Sequence, residues 1–254
     1  MNPNRRRFCA VAASTLVSLP LFAACDALTY SEGQIGTSRL KARPKSGART
    51  TATGRVALGI GGSRDGILVM PSTVPAKPVP LAVMLHGAGG SADRFLQRFG
   101  SIPDDAGVAT LWLDSRSTTW DAIRGGFGLD VDFLDRALAK VFAMVSVDPA
   151  RLAIGGFSDG ATYALSLGLA NGDLFPKIVA WSPGFVVDSE PHGKPKIFIS
   201  HGTADEILPI DNCSRVLVPV LRKRGYEVAF KEFDGPHTVP PEMAKEAFGF
   251  ITTI

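Results

Sequence analysis

The chain has 254 residues, of which 45% are hydrophobic, and its formal net charge is +3. This length and composition predict one domain with a large core and leave no room for a second full domain. Three basic residues, Arg5, Arg6 and Arg7, lie in a predicted export signal, and without them 24 basic residues balance 24 acidic ones. A near-neutral chain offers no electrostatic case for nucleic-acid binding, which depends on clustered positive charge.

Residues 1–25 have the pattern of an export signal. The basic head is followed by an uncharged, mostly apolar stretch over residues 8–24. This stretch is too short and too interrupted for a membrane span. Residues 5–8 (Arg-Arg-Arg-Phe) are compatible both with a twin-arginine export motif and with a plain basic head.

The end of this segment suggests a lipid anchor. Residues 22–25 (Phe-Ala-Ala-Cys) resemble a bacterial lipobox, in which the cysteine becomes lipidated. Cleavage near Ala27 by ordinary signal peptidase is the alternative, because Phe replaces the usual Leu at the first lipobox position. We therefore expect an exported bacterial protein, periplasmic or at the cell surface, that contacts the membrane only through Cys25.

A polar segment separates the export signal from the predicted domain. Residues 26–54 carry Gly, Pro and scattered basic residues without apolar periodicity, which predicts a tether. The pattern changes at Arg55, so the domain is predicted over residues 55–254. Its first runs, residues 56–60 and 66–70, flank a glycine-containing turn and predict a hairpin. Continuous apolar runs at residues 79–85 and 108–113 are typical of parallel strands covered on both faces.

Strands and helices alternate in the second half of the chain. Apolar residues recur at three- and four-residue steps over residues 131–145, which predicts an amphipathic helix. Further predicted strands are residues 152–154, 178–181, 197–200 and 228–233, and further predicted helices are residues 161–169, 216–224 and 241–251. This alternation predicts an α/β fold with a mainly parallel sheet and helices on both faces.

A candidate nucleophile lies between a predicted strand and a predicted helix. Residues 156–160 (Gly-Phe-Ser-Asp-Gly) match the G-x-S-x-G nucleophile elbow, with Ser158 at its centre. Small flanking residues are needed because the turn that exposes the serine is tight. A glycine-rich turn with an idle serine is the alternative.

An earlier glycine-rich loop is the candidate oxyanion loop. Residues 86–90 (His-Gly-Ala-Gly-Gly) follow a predicted strand, where such hydrolases place main-chain donors for the oxyanion. Acyl transfer requires N–H groups aimed at the developing negative charge. We assign these donors to the N–H groups of Ala88 and Asp159. The side chain of His86 is interpreted as structural.

The candidate acid and base follow in the chain order that α/β-hydrolases use. Asp205 lies beyond the predicted strand at residues 197–200, and His237 lies beyond the one at residues 228–233. Asp205 would orient the imidazole, and His237 would take the proton of Ser158 and pass it to the leaving alcohol. Glu206 and Asp234 are the rivals for the acid.

These motifs together carry a resemblance to a known family. The chain resembles the phospholipase/carboxylesterase family of α/β-hydrolases, which includes acyl-protein thioesterase-like enzymes; the matching segments are residues 86–90, 155–160, 174–184, 201–209 and 235–237. Residues 147–151 also suggest the polyhydroxybutyrate depolymerase and feruloyl esterase-like group. The resemblance implies an α/β-hydrolase fold without a large lid, a triad of Ser158, Asp205 and His237, and small to medium acyl or aryl esters as substrates. Asp159 stands where carboxylesterases often have Gln, which leaves the acyl preference open.

The remaining predictions concern ligands and competing functions. Trp120 and Phe185 lie near predicted carboxyl ends of strands, where a ligand crevice opens, so either ring could bind the acyl or aryl group; core packing is the alternative. No histidine pair has metal-ligand spacing, so neither a metal nor a cofactor is predicted. A thioesterase or peptidase with the same triad, and a non-catalytic surface-tethered binding protein, are the competing functions.

Overall fold

The computed structural model describes residues 37–45, 50–73 and 77–254. The predicted export signal and Cys25 lie outside the described residues. Among the helices of the described residues, none is both long and apolar enough to cross a membrane.

The described residues form one eight-stranded sheet. Its strands are β1 (Arg55–Ala57), β2 (Gly66–Val69), β3 (Val79–Leu85), β4 (Ala109–Leu113), β5 (Val147–Phe157), β6 (Lys177–Trp181), β7 (Lys196–Gly202) and β8 (Val228–Phe233). Their spatial order is β1-β2-β4-β3-β5-β6-β7-β8. β1 and β2 pair antiparallel with each other, and β2 pairs antiparallel with β4. The six strands β4, β3, β5, β6, β7 and β8, in this spatial order, pair parallel with their neighbours, which confirms the predicted mainly parallel sheet.

Within the described ranges, six α-helices accompany the sheet. They are α1 (Ala92–Leu96), α2 (Ile102–Asp105), α3 (Leu129–Met144), α4 (Asp159–Ala170), α5 (Ser214–Lys223) and α6 (Pro241–Thr252). The sequence predicts α3 to α6 within about two residues and misses α1 and α2, whose five and four residues are too few to show helical periodicity. β5 also begins earlier than predicted, at Val147.

Two apolar clusters pack on opposite faces of the sheet. The larger cluster contains residues of α3, α4 and α5; the smaller one contains residues of α1 and α6, and Ile102 of α2 packs against it. Alternate residues of β3 divide between them: Leu81, Val83 and Leu85 join the first cluster, whereas Ala82 and Met84 join the second. This alternation follows from the two-residue period of a strand and explains why central strands are apolar without interruption.

Part of the predicted tether packs on the domain instead of extending from it. Leu40 is buried, and its N–H donates to Oδ1 of Asn171 at 2.9 Å. Arg39 makes two hydrogen bonds to the carboxylate of Asp173, at 2.8 and 2.9 Å. The N–H groups of residues 41 and 42 both donate to Oδ1 of Asp135. Residues 39–42 of the predicted tether therefore contact the domain through long-range partners that are invisible in local composition.

Candidate active site

The structure places Ser158 in a sharp turn between β5 and α4. Its backbone has φ 58° and ψ −121°, a positive-φ conformation that is strained for a residue with a side chain. Both flanking glycines are required by sterics. A Cβ on Gly160 would lie 2.1 Å from the carbonyl oxygen of Leu85, and a Cβ on Gly156 would lie 2.4 Å from the carbonyl group of Gly160. The predicted nucleophile elbow is present in the backbone.

The predicted acid and base lie in direct contact. Oδ2 of Asp205, in the turn after β7, is 2.6 Å from Nδ1 of His237, in the turn after β8. Oδ1 of Asp205 accepts the N–H groups of Ile207 at 3.0 Å and Leu208 at 2.8 Å. The carboxylate is thus fixed from one side by main-chain donors and directed by the other oxygen at the imidazole.

Electrostatics favour an ionised Asp205. Burial alone would raise the pKa of Asp205, but hydrogen bonds from the N–H of Leu208 and from His237 lower it below the ordinary value. The ionised carboxylate accepts from Nδ1–H, which leaves Nε2 of His237 as the basic nitrogen. This is the tautomer that a general base for a serine must have.

His201 supports Asp205 from behind. Its Nε2 lies 2.7 Å from the carbonyl oxygen of Leu208 and 3.2 Å from Oδ2 of Asp205, so this nitrogen carries the hydrogen. Its Nδ1 accepts from the hydroxyl of Ser214 at 2.7 Å. Burial is the main cause that lowers the pKa of His201 and keeps it neutral. Ser214 lies at the start of α5 and was not predicted as a site residue, because no motif surrounds it.

Phe157 joins the base to the elbow. Its ring packs against the imidazole of His237 with the centroids 4.6 Å apart, and Phe157 immediately precedes Ser158. Among the hydrogen bonds of the described residues, none connects Oγ of Ser158 with His237. Such bonds often tighten only when substrate binds. Asp205 and His237 are therefore linked by a hydrogen bond. Ser158 lies near this pair because the ring of the preceding residue, Phe157, contacts His237.

The loop after β3 lies beside Ser158. A Cβ added to Gly87 would be 3.2 Å from the Cβ of Ser158, so the loop's backbone approaches the nucleophile closely. In the described part of the chain, no hydrogen bond uses the N–H of Ala88 or of Asp159. Both groups are consequently available to a bound oxyanion, and their assignment as its donors stays a prediction.

His86 fixes the peptide group that carries the N–H of Ala88. Its Nε2 accepts from the N–H of Ser115 at 3.1 Å and lies 3.2 Å from a guanidinium nitrogen of Arg64, so Nδ1 carries the hydrogen. Nδ1 donates to the carbonyl oxygen of Gly87 at 2.7 Å. Burial lowers the pKa of His86 and favours this neutral form. Since the Gly87 carbonyl and the Ala88 N–H share one peptide, His86 orients a predicted donor; its interpretation as structural agrees with these contacts.

The two aromatic residues predicted to bind substrate differ in their surroundings. Trp120 is fully buried, and its Nε1 donates to the carbonyl oxygen of His86 at 2.8 Å. A ring enclosed by protein cannot line an open crevice, so the prediction of substrate contact is wrong for Trp120. Phe185 is 42% exposed, and its role in substrate binding stays a prediction.

The fold and the arrangement of Ser158, Asp205 and His237 define the α/β-hydrolase class. Residues 131–254 match the model of the phospholipase/carboxylesterase family, which confirms the resemblance seen in the sequence. The chain thus has the α/β-hydrolase fold, and the match to this family covers its second half.

Three similar proteins illustrate this relationship. NocK of Nocardia uniformis subsp. tsuyamanensis, which is named as an esterase, is 31% identical over 185 residues, or 68% of this chain and 53% of its own length. Acyl-protein thioesterase 1 of Eremothecium gossypii is 29% identical over 157 residues, or 56% of this chain and 65% of its own length. The chain thus spans about half to two thirds of these relatives. The crystal structure of esterase PE8 shares the fold, with a TM-score of 0.60 at 24% identity over 74% of this chain and 97% of that one.

Proposed function

We propose that the chain is a serine hydrolase that cleaves carboxylic esters with small to medium acyl or aryl groups through an acyl-enzyme intermediate. The observation that carries this proposal is the 2.6 Å contact between Asp205 and His237 beside a nucleophile elbow. A neutral imidazole held by a carboxylate is what a serine needs to become a nucleophile at neutral pH. A non-catalytic binding protein would have no use for this arrangement.

The proposed reaction begins with attack of Oγ of Ser158 on the ester carbonyl. Nε2 of His237 takes the serine proton, and the imidazolium that forms is stabilised by Asp205. The N–H groups of Ala88 and Asp159 donate to the oxyanion of the tetrahedral intermediate. His237 then gives its proton to the departing alcohol, which leaves Ser158 acylated. Water attacks the acyl-enzyme with His237 as the base, releasing the carboxylic acid and restoring the serine.

Thioester cleavage is the second candidate function. The similarity to acyl-protein thioesterase 1 favours it, and the same groups would perform it with a thiol as leaving group. An ester and a thioester with the same acyl group would give the same acyl-enzyme on Ser158, and they differ only in the leaving group.

Matched substrates separate the two candidates. The full chain and its Ser158→Ala variant are assayed with p-nitrophenyl acetate and butyrate, and with the acetyl and butyryl thioesters of the same alkyl thiol. We expect ester turnover that Ser158→Ala removes while its circular dichroism spectrum stays unchanged. A higher kcat/KM for thioesters at equal acyl length would assign the protein as a thioesterase. Equal ester rates in both proteins would contradict a serine mechanism.

We also propose that the protein is exported and anchored through a lipid on Cys25. The support is the sequence of residues 1–25, a basic head and apolar stretch that end in a lipobox-like Cys. Expression in a bacterium fed an alkyne fatty acid tests this directly. We expect label and membrane association in the full chain and neither in the Cys25→Ser variant. An unlabelled, soluble product from the unmodified chain would instead support cleavage by ordinary signal peptidase.

A further inference from the structure

A three-residue segment between β4 and α3, Thr118–Trp120, joins the two elements that carry the predicted oxyanion donors; we call it the bridging segment. Its Thr118 carbonyl accepts the N–H of Gly89 at 2.7 Å. Its Trp120 indole donates to the carbonyl of His86 at 2.8 Å. Between them, the Thr119 hydroxyl donates to Oδ2 of Asp159 at 2.5 Å. One segment therefore bonds to the loop after β3 and to the first residue of α4.

The two predicted donors need such a connection because they come from different parts of the fold. Ala88 belongs to the loop after β3, whereas Asp159 begins α4, 71 positions later in the chain. Both N–H groups must reach the same oxygen at about 2.7–3.1 Å for the oxyanion to be stabilised. Small changes in their separation would lengthen at least one of these bonds.

Burial and charge both stabilise the hydrogen bond between Thr119 and Asp159. Thr119 is 5% exposed, so water competes little for its hydroxyl. A hydroxyl that donates to a carboxylate makes a short, charge-assisted hydrogen bond, and 2.5 Å lies in that range. Asp159 also lies in the first turn of α4, where the helix dipole favours a negative side chain.

The flanks of the bridging segment are fixed as well. Asp130, in the first turn of α3, accepts the N–H of Arg116 through Oδ1 at 2.5 Å and the N–H of Asp121 through Oδ2 at 2.7 Å. One buried carboxylate thus holds the chain on both sides of Thr119. The segment behaves as a fixed support from which Thr119 reaches the elbow.

We propose that Thr119 is a positioning residue for catalysis: its hydroxyl holds the Asp159 side chain and so sets the spacing of the Ala88 and Asp159 N–H groups around the oxyanion. This inference rests on the proposed function. Thr119 touches neither substrate nor Ser158 in this role. It stabilises the transition state by way of Asp159, so its loss affects kcat far more than KM.

The test compares variants of the full chain on p-nitrophenyl butyrate. Thr119→Val keeps the shape and removes the hydroxyl, whereas Thr119→Ser keeps the hydroxyl. We expect kcat to fall about 10- to 100-fold in Thr119→Val, below the 10²- to 10³-fold typical of losing a whole donor, with KM changed less than about twofold. Thr119→Ser should stay within about threefold of the unmodified chain. The matched control is Thr252→Val in the last turn of α6, where the hydroxyl donates to the carbonyl of Gly249, and it should leave both constants unchanged.

A double-mutant cycle assigns the effect to the Thr119–Asp159 bond. Asp159→Ala removes the bond from its other end, and combining it with Thr119→Val should lower kcat no further than the worse single variant. If Thr119→Val does not unfold cooperatively, Asp159→Ala carries the test, because Asp159 is only partly buried.

The outcomes separate this proposal from the function on which it rests. Serine-dependent turnover that Thr119→Val leaves unchanged, or a loss that Thr119→Ser does not rescue, would overturn the positioning role and leave the esterase proposal intact. Turnover that survives Ser158→Ala, or no turnover in the unmodified chain, would overturn both. A kcat loss with rescue and non-additivity supports both.

Discussion

Nδ1 of His237 lies 2.6 Å from Oδ2 of Asp205, and the other oxygen of Asp205 accepts two main-chain N–H groups. The carboxylate therefore has one orientation open to it, and the imidazole takes its tautomer from that orientation. Since the two turns follow adjacent parallel strands, β7 and β8, the contact is a direct product of the sheet topology.

Asp205→Asn tests the acid assignment. The amide cannot hold His237 in the required tautomer as a carboxylate does, so we expect kcat for p-nitrophenyl butyrate to fall on the order of 10³- to 10⁴-fold. Asp234→Asn is the matched control, because Asp234 is the exposed rival on the next loop. A larger loss in Asp234→Asn than in Asp205→Asn would transfer the role to Asp234.

Two glycine variants test the steric account of the elbow. Gly160→Ala places a Cβ 2.1 Å from the Leu85 carbonyl oxygen, so we expect the free energy of unfolding to fall by about 3 kcal/mol or more. In Gly249→Ala, within α6, the new Cβ has no atom within 4 Å, and helix propensity predicts a gain of about 0.5–1 kcal/mol. Urea unfolding measures both. Equal effects of the two substitutions would refute the close backbone approach at Gly160.

The docking of residues 39–42 has a measurable contribution to stability. Leu40 is 2% exposed, so Leu40→Ala should lower the free energy of unfolding by about 2–3 kcal/mol. Lys45→Ala, at an exposed position of the same segment, should change it by less than about 0.5 kcal/mol. Indistinguishable urea midpoints for the two variants would mean that Leu40 does not pack on the domain in solution.

Asp130 predicts a pH dependence of stability with a definite sign. Burial raises its pKa to about 6, against a smaller lowering by the N–H of Arg116, and the neighbouring Asp121 adds to the rise. Between about pH 4 and pH 6 the folded chain therefore holds more protons than the unfolded one. The stabilisation linked to this proton is complete below about pH 4 and is lost as the pH rises through 6.

The measurement is the free energy of unfolding of the unmodified chain minus that of Asp130→Asn, which cannot titrate there. We expect this difference to decrease by about 1–3 kcal/mol between pH 4 and pH 7. Titrations common to both proteins cancel in the difference. A difference that is constant or rises with pH would show that the buried carboxyl does not retain its proton.

The sequence predicts the main site residues because they follow from local rules. Ser158 lies in a motif whose glycines are required by the turn, and Asp205 and His237 follow apolar runs that end at one edge of a parallel sheet. The glycine-rich loop after β3 could be predicted for the same reason.

The supporting residues were not predictable in this way. Thr119 contacts Asp159, 40 positions away in the sequence, and Arg64 contacts His86, 22 positions away. The local sequence around a single Thr or Arg in a loop does not indicate such a distant partner. The substrate contact predicted for Trp120 was wrong because the prediction used only its position after a strand, where a crevice is expected. Its burial depends on Tyr163 and His86, which pack against its ring.

In the proposed mechanism, Ser158 is a nucleophile activated by His237. The most direct test of this activation is the rate of labelling by a fluorophosphonate, followed by peptide mass spectrometry on the full chain. We expect a single adduct on Ser158, no adduct in Ser158→Ala, and labelling slowed at least about 100-fold in His237→Ala, since general-base assistance typically contributes 10²- to 10⁴-fold. An adduct on another residue, or equal labelling rates with and without His237, would contradict this mechanism.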